Sequence, residues 1–123
     1  MHALVVDDSR AMRMVLKKIM NEAGFEVSEA VDGSEALIRL KEMDSVDLML
    51  VDWNMPVMDG LEFVRTVREN QSYDEVPVMM VSTEDGMDKI VEALEAGANE
   101  YVMKPFTADA IVEKLEILGI ATG

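Results

Sequence analysis

The sequence predicts an α/β domain: one open parallel sheet with helices packed on both of its faces. Short apolar runs alternate with amphipathic stretches five times along the chain. The connections between them are short and carry Gly, Pro, Asp or Ser, the usual punctuation between elements. The length of 123 residues suits a single domain with a buried core. The expected domain fills residues 1–123, because no composition shift, repeat or low-complexity segment divides the chain.

The elements follow in order. Ala3 to Val6 is a continuous apolar run stopped by Asp7 and Asp8, the pattern of a strand covered on both faces. Ser9 is a candidate helix N-cap. Met12, Val15, Leu16, Ile19, Met20 and Ala23 then recur at helical spacing as one apolar stripe, and Gly24 ends it. Phe25 to Val31 alternates and predicts a second strand nearer a sheet edge. Asp32-Gly33 turns the chain into a helix marked by Ala36, Leu37, Leu40 and Met43. Leu48 to Val51 predicts a third, buried strand ending at Asp52. The loop Trp53-Asn54-Met55-Pro56-Val57-Met58-Asp59-Gly60 leads to a helix carrying Leu61, Val64 and Val67. Pro77 to Val81 predicts a fourth strand ending at Ser82-Thr83. Met87, Ile90, Val91 and Leu94 mark a fourth helix, closed by Gly97. Glu100 to Met103 predicts a short fifth strand ending at Lys104-Pro105, and Ile111, Leu115 and Leu118 mark the last helix.

Composition excludes several classes of function. Lys and Arg number 11 against 25 Asp and Glu, a net charge of −14. A nucleic-acid interface needs a basic face to neutralise phosphates, and an anionic membrane surface needs one equally, so neither partner is expected. Hydrophobic residues make up 50% of the chain, which separates it from disordered acidic tails. With no cysteine there is no disulfide scaffold, thiolate zinc site or thiol nucleophile. No segment approaches the ~18 apolar residues of a membrane span. The N-terminus lacks a basic region, and its apolar run stops at Asp7, so no signal peptide is expected and the expected location is cytoplasmic. The 12 methionines lie mostly on apolar stripes and strands, which predicts core filling, while Met55 and Met58 belong to the loop after Asp52 and are expected to cover the site. His2, the only histidine, lies at the terminus and cannot build a histidine metal site. Trp53 is expected to be solvent-accessible and to report on metal binding.

The polar chemistry sits at strand ends. In an open parallel sheet, ligands bind outside the carboxyl ends of the strands, where the strand order reverses. Asp7-Asp8, Asp52, Ser82-Thr83 and Lys104 all fall at such ends. Three clustered carboxylates repel one another unless a cation intervenes. Mg2+ takes oxygen ligands and pairs one or two carboxylates with a phosphate. A carboxylate can also attack phosphorus to give an acyl phosphate, with a lysine and a hydroxyl on the phosphoryl oxygens.

On these residues the chain resembles a response-regulator receiver domain, and within that family it is similar to the single-domain, CheY-like chemotaxis regulators. The match runs essentially the full length. It rests on Val5-Val6-Asp7-Asp8-Ser9, on Asp52 through Gly60, on Met80-Val81-Ser82-Thr83-Glu84 and on Tyr101-Val102-Met103-Lys104-Pro105-Phe106, a highly specific set when taken together. The resemblance implies a flavodoxin-like (βα)5 doubly wound sheet of strand order 2-1-3-4-5. It implies that Asp52 accepts the phosphoryl group and that Asp7, Asp8, Asp52 and the backbone carbonyl of Asn54 hold Mg2+ (Mn2+ as an alternative), with Asp8 direct and Asp7 largely through water. Lys104 would pair with the phosphoryl group, before a cis bond to Pro105. Ser82 and Tyr101 would be the switch pair, Tyr101 turning inward as Ser82 moves toward the phosphate. Asn54, Glu84 and Thr83 would tune dephosphorylation, and Asn54 with Glu84 favours the chemotaxis subgroup. The family is a phosphoacceptor switch rather than a conventional enzyme, although it catalyses its own phosphotransfer and dephosphorylation. The partners implied are a histidine kinase, a flagellar motor switch protein or other target on the face of the fourth helix, fifth strand and fifth helix, and a phosphatase as a further candidate. A monomer without an attached effector domain is expected.

Each residue also has an ordinary reading. Asp8 can be a helix cap, Asp52 a turn residue, Lys104 a surface lysine, and Ser82 and Thr83 caps of the fourth helix. Tyr101 can be edge-strand packing. Their joint placement at four strand ends favours the site. Within the phosphoacceptor reading, a phosphorelay shuttle or other signalling adaptor is the alternative to motor control. An aspartyl-nucleophile phosphohydrolase of the haloacid-dehalogenase type would want Asp-x-Asp after its first strand, where this chain has adjacent Asp7-Asp8. A nucleotide or flavin site lacks its glycine-rich or Ser/Thr-rich phosphate loop.

Overall fold

A computed structural model describes residues 1–120; residues 121–123, included in the expected 1–123 domain, lie outside the described residues. Strands and helices alternate as β1 (His2–Val6), α1 (Arg10–Glu22), β2 (Glu26–Ala30), α2 (Gly33–Glu42), β3 (Leu48–Val51), α3 (Gly60–Arg68), β4 (Val78–Ser82), α4 (Met87–Ala96), β5 (Glu100–Met103) and α5 (Ala108–Ile117). The strands form one five-stranded sheet in the order β2-β1-β3-β4-β5, and all four pairings are parallel. This is the flavodoxin-like order expected of the chain. A 3-10 turn at Gln71–Tyr73, between α3 and β4, has no counterpart in the predicted elements.

Side chains on successive strand positions point to opposite faces, and this divides the core in two. Leu4, Val6, Met49, Val51, Val78 and Met80 pack against α2, α3 and Ala93 of α4. Ala3, Val5, Leu48, Leu50, Met79 and Val81 pack against Leu16, Ile19 and Met20 of α1 and Ile111 and Leu115 of α5. Ala3–Val6 of β1, all of β3 and Val78–Val81 of β4 are apolar without a break because both faces of these strands are covered. Edge strand β2 is less buried and carries Glu26 and Glu29, which discourage pairing with another chain. Four helices begin with side-chain caps: Ser9, Asp32, Asp59 and Thr107 each accept a backbone N–H three residues on.

Two apolar stripes depart from the expected burial. Val15 of α1 is exposed, and on α4 Met87, Val91 and Leu94 all face outward, Met87 with 73% of its surface exposed. Only Ala93 of α4 is buried. The small alanine lets the helix backbone approach the core, and the larger residues are left on the outer side. Several methionines are therefore surface residues: Met1, Met14, Met87 and Met103 are exposed, while Met20, Met49, Met79 and Met80 fill the core.

Phe63 is the largest fully buried side chain and joins α3 to the β1–β3–β4 core. Phe63→Ala is expected to lower unfolding stability by about 3–5 kcal/mol, read as a shifted urea midpoint at unchanged slope.

Candidate functional site

The order β2-β1-β3-β4-β5 reverses direction between β1 and β3, so the carboxyl ends of these two strands open the crevice. Asp7 follows β1 and Asp52 follows β3, and the register Val6–Val51 sets them side by side. Carboxylate oxygens of Asp7, Asp8 and Asp52 lie within 4.8 Å of one another. Asp7 and Asp52 are buried, Asp7 with 1% of its surface exposed, while Asp8 is exposed.

Lys104 enters from the end of β5. Its ammonium donates to Asp7 Oδ2 at 2.9 Å and lies 3.4 Å from Asp52 Oδ2. The other Asp7 oxygen accepts from the Ser9 N–H at 2.8 Å, and Asp52 Oδ1 accepts from the Trp53 N–H at 2.8 Å. With three carboxylates and one ammonium the cluster keeps a formal charge of −2. Burial raises the pKa of Asp52 above the ordinary carboxylate value; Asp7 adds to the rise, and Lys104 and the Trp53 N–H oppose it. These hard oxygen donors with unneutralised charge fit a divalent cation. Asp7, Asp8 and Asp52 are the described residues that can hold one.

Ser82 ends β4, beside β3, and is fully buried. Its Oγ accepts the Glu84 N–H at 3.1 Å. The Tyr101 hydroxyl donates to the Glu84 carbonyl at 2.7 Å, so the loop after β4 is held at both polar groups of one residue. Tyr101 is turned inward and buried, and burial pushes its phenol pKa up. The Lys104-Pro105 bond is cis, as the resemblance implied. Asn54 and Thr83 are exposed near the site, and Glu84 is half-buried.

Trp53 corrects an expectation. It was expected in solvent, but only 6% of its surface is exposed. Its ring joins the core beneath α4, and the Lys89 ammonium lies 5.2 Å from the ring centroid. The loop after β3 bends inward because the Gly60 N–H donates to the Trp53 carbonyl at 2.8 Å. Gly60 has no Cβ, and one there would collide with the Asp52 carbonyl oxygen.

Set against known proteins, residues 3–116 match the sequence model of the response regulator receiver domain. The chain belongs to that family. This receiver domain is 44% identical to the chemotaxis protein CheY homolog of Campylobacter jejuni, over all of this chain and 96% of that protein. It is 42% identical to chemotaxis protein CheY1 of Helicobacter pylori, over 96% of each. The solved structure of chemotaxis response regulator CheY4 of Vibrio cholerae matches with a TM-score of 0.88 and 36% identity, covering 95% of this chain and 97% of that one. The receiver domain is thus a two-component regulator of the chemotaxis type.

Two residues that position the site escaped the sequence reading. Arg13 donates to the Asp7 carbonyl at 2.7 Å and to Glu29 at 3.2 Å, bracing the Asp7 backbone against β2. Gly60 reads in the sequence only as the end of the loop. A charged residue on a helix surface gives no sign of its acceptor, and a glycine ahead of a helix gives no sign of what presses on it.

The raised pKa of Asp52 has a consequence for stability. An acid whose folded pKa exceeds its unfolded value binds more protons in the fold, so its ionisation costs stability as pH rises through that window. In metal-free buffer, Asp52→Asn is expected to raise Tm at pH 7. The gap should close as pH falls toward about 4, near the ordinary Asp value. An equal gap at both pH values, seen by calorimetry, contradicts the assigned burial cost.

Proposed function

We propose that Asp52 receives a phosphoryl group from a phosphohistidine of a histidine kinase. The observation that carries this is the Lys104 ammonium set between Asp7 and Asp52, 2.9 and 3.4 Å from their carboxylates. An Asp52 oxygen attacks phosphorus, an O–P bond forms, the P–N bond breaks, and the imidazole leaves. Burial keeps the nucleophile poorly solvated, and the Trp53 N–H orients it through Oδ1. Lys104 would pair with a phosphoryl oxygen, and the Ser82 hydroxyl with another. Asp7, Asp8, Asp52 and the Asn54 carbonyl would hold Mg2+ there, and the ion would neutralise charge on the phosphoryl oxygens. Asn54, Glu84 and Thr83 border the site and set how readily water reaches the acyl phosphate.

The switch follows from the loop after β4. Ser82 Oγ accepts the Glu84 N–H, and Tyr101 donates to the Glu84 carbonyl. Donation from Ser82 to a phosphoryl oxygen draws that hydroxyl toward the site and pulls on the loop that Tyr101 also holds. The loop leads into α4, so the α4–β5–α5 face changes with it, and a target selects the changed face. The relatives are named chemotaxis proteins, which supports a flagellar motor switch protein as that target.

Phosphorylation by a small acyl-phosphate donor tests the reading. With Mg2+ present, intact-protein mass should rise by one phosphoryl group, and Asp52→Asn should abolish the gain. Lys104→Ala should slow uptake by about a hundredfold, the usual loss for one charge-stabilising donor. Undiminished uptake in Asp52→Asn refutes the assignment.

A further inference from the structure

We propose that Lys89 is a positioning residue that ties the first turn of α4 to Asp52 through the Trp53 ring. The inference rests on the reading of Asp52 as the phosphoacceptor and names how that site reaches α4 by a second route, separate from Ser82 and Tyr101.

Trp53 faces two ways. Its backbone N–H holds Asp52 Oδ1 at 2.8 Å, and its carbonyl accepts the Gly60 N–H at 2.8 Å. Its backbone is therefore held by Asp52 on one side and the start of α3 on the other. The ring is buried, and the Lys89 ammonium sits 5.2 Å from its centroid, inside the range of a cation–π attraction. Lys89 has acidic neighbours in sequence, Asp85, Asp88 and Glu92. Among the described residues it nevertheless makes no ion pair. Its charge is directed to the ring.

α4 is otherwise lightly held. Only Ala93 is buried, and its cap position, Gly86, makes no side-chain cap bond and has a φ of 94°. In its first turn the contact of Lys89 to Trp53 stands beside the packing of the half-buried Ile90 on the core. Any rearrangement that shifts the Trp53 backbone with Asp52 moves the ring under Lys89, and displacement of α4 acts back on Asp52 with the same coupling.

The test uses the full chain and the variants K89Q, K89M and K89R, all at a partly exposed position. Trp53 is the only tryptophan, so its emission reads the ring alone. K89Q and K89M are expected to change the emission and increase acrylamide quenching, and K89R to stay near wild type. Amide exchange across Met87–Val91 is then measured in wild type, D52N, K89Q and the double variant. D52N is expected to change α4 exchange by about two- to fivefold with Lys89 present and not in the K89Q background. Unaltered quenching in K89Q and K89M, or additive effects on exchange, overturns the link while wild type still takes up phosphoryl groups. Absence of phosphoryl uptake in wild type overturns the reading of Asp52 on which the link rests.

Discussion

The pairing of one lysine with two buried carboxylates at the mouth of the sheet is the constraint from which the rest of the site follows. Asp7 and Lys104 are 97 positions apart in sequence, yet their side chains meet at 2.9 Å. Asp7 and Asp52 are both removed from water and lie close to each other, an arrangement that opposes the ionisation of Asp52. Lys104 offsets part of that opposition and leaves a formal charge of −2 that a cation can balance. A relaxed surface cluster would not hold this tension. A sheet buried on both faces does, because its strand ends cannot drift apart without opening the core.

Around that cluster the supports are mainly backbone groups. The Ser9 and Trp53 N–H groups hold the two buried carboxylates, and Arg13 holds the Asp7 carbonyl. Such supports are rigid, which suits a site that must position a reacting group within a fraction of an ångström. The loop after β4 and α4 are held differently. The loop after β4 hangs on two hydrogen bonds to Glu84, and α4 buries one small residue. Few buried contacts are the mark of a segment that shifts at low cost. A firmly braced carboxylate cluster and a lightly buried helix thus lie at the same end of the sheet.

Most of the architecture was legible from local patterns. Every strand and α-helix was placed from apolar periodicity, and Ser9 was readable as a cap ahead of an apolar stripe. The carboxylates and Lys104 stood out because strand ends in a parallel sheet are where ligand chemistry collects. Trp53 and α4 were not legible. Periodicity shows that Met87, Val91 and Leu94 share a stripe but not which way the stripe faces. A tryptophan in a loop gives no indication that a helix distant in sequence will cover it. Arg13 and Lys89 were hidden for a related reason: a charge on a helix has many acceptors within reach, and packing selects one.

By itself, the sequence determined the alternation of strands and helices, one domain's worth of core, and which residue types stand at the strand ends. Those properties are local, set by side-chain period, backbone preference and the chemistry of individual groups. Only the tertiary structure decided that Lys104 bridges Asp7 and Asp52, that Trp53 lies inside, and that Met87, Val91 and Leu94 of α4 face outward. Each of these depends on distances between segments far apart in the chain. Such distances are set when the two faces of the sheet close over their helices, and no local pattern carries them.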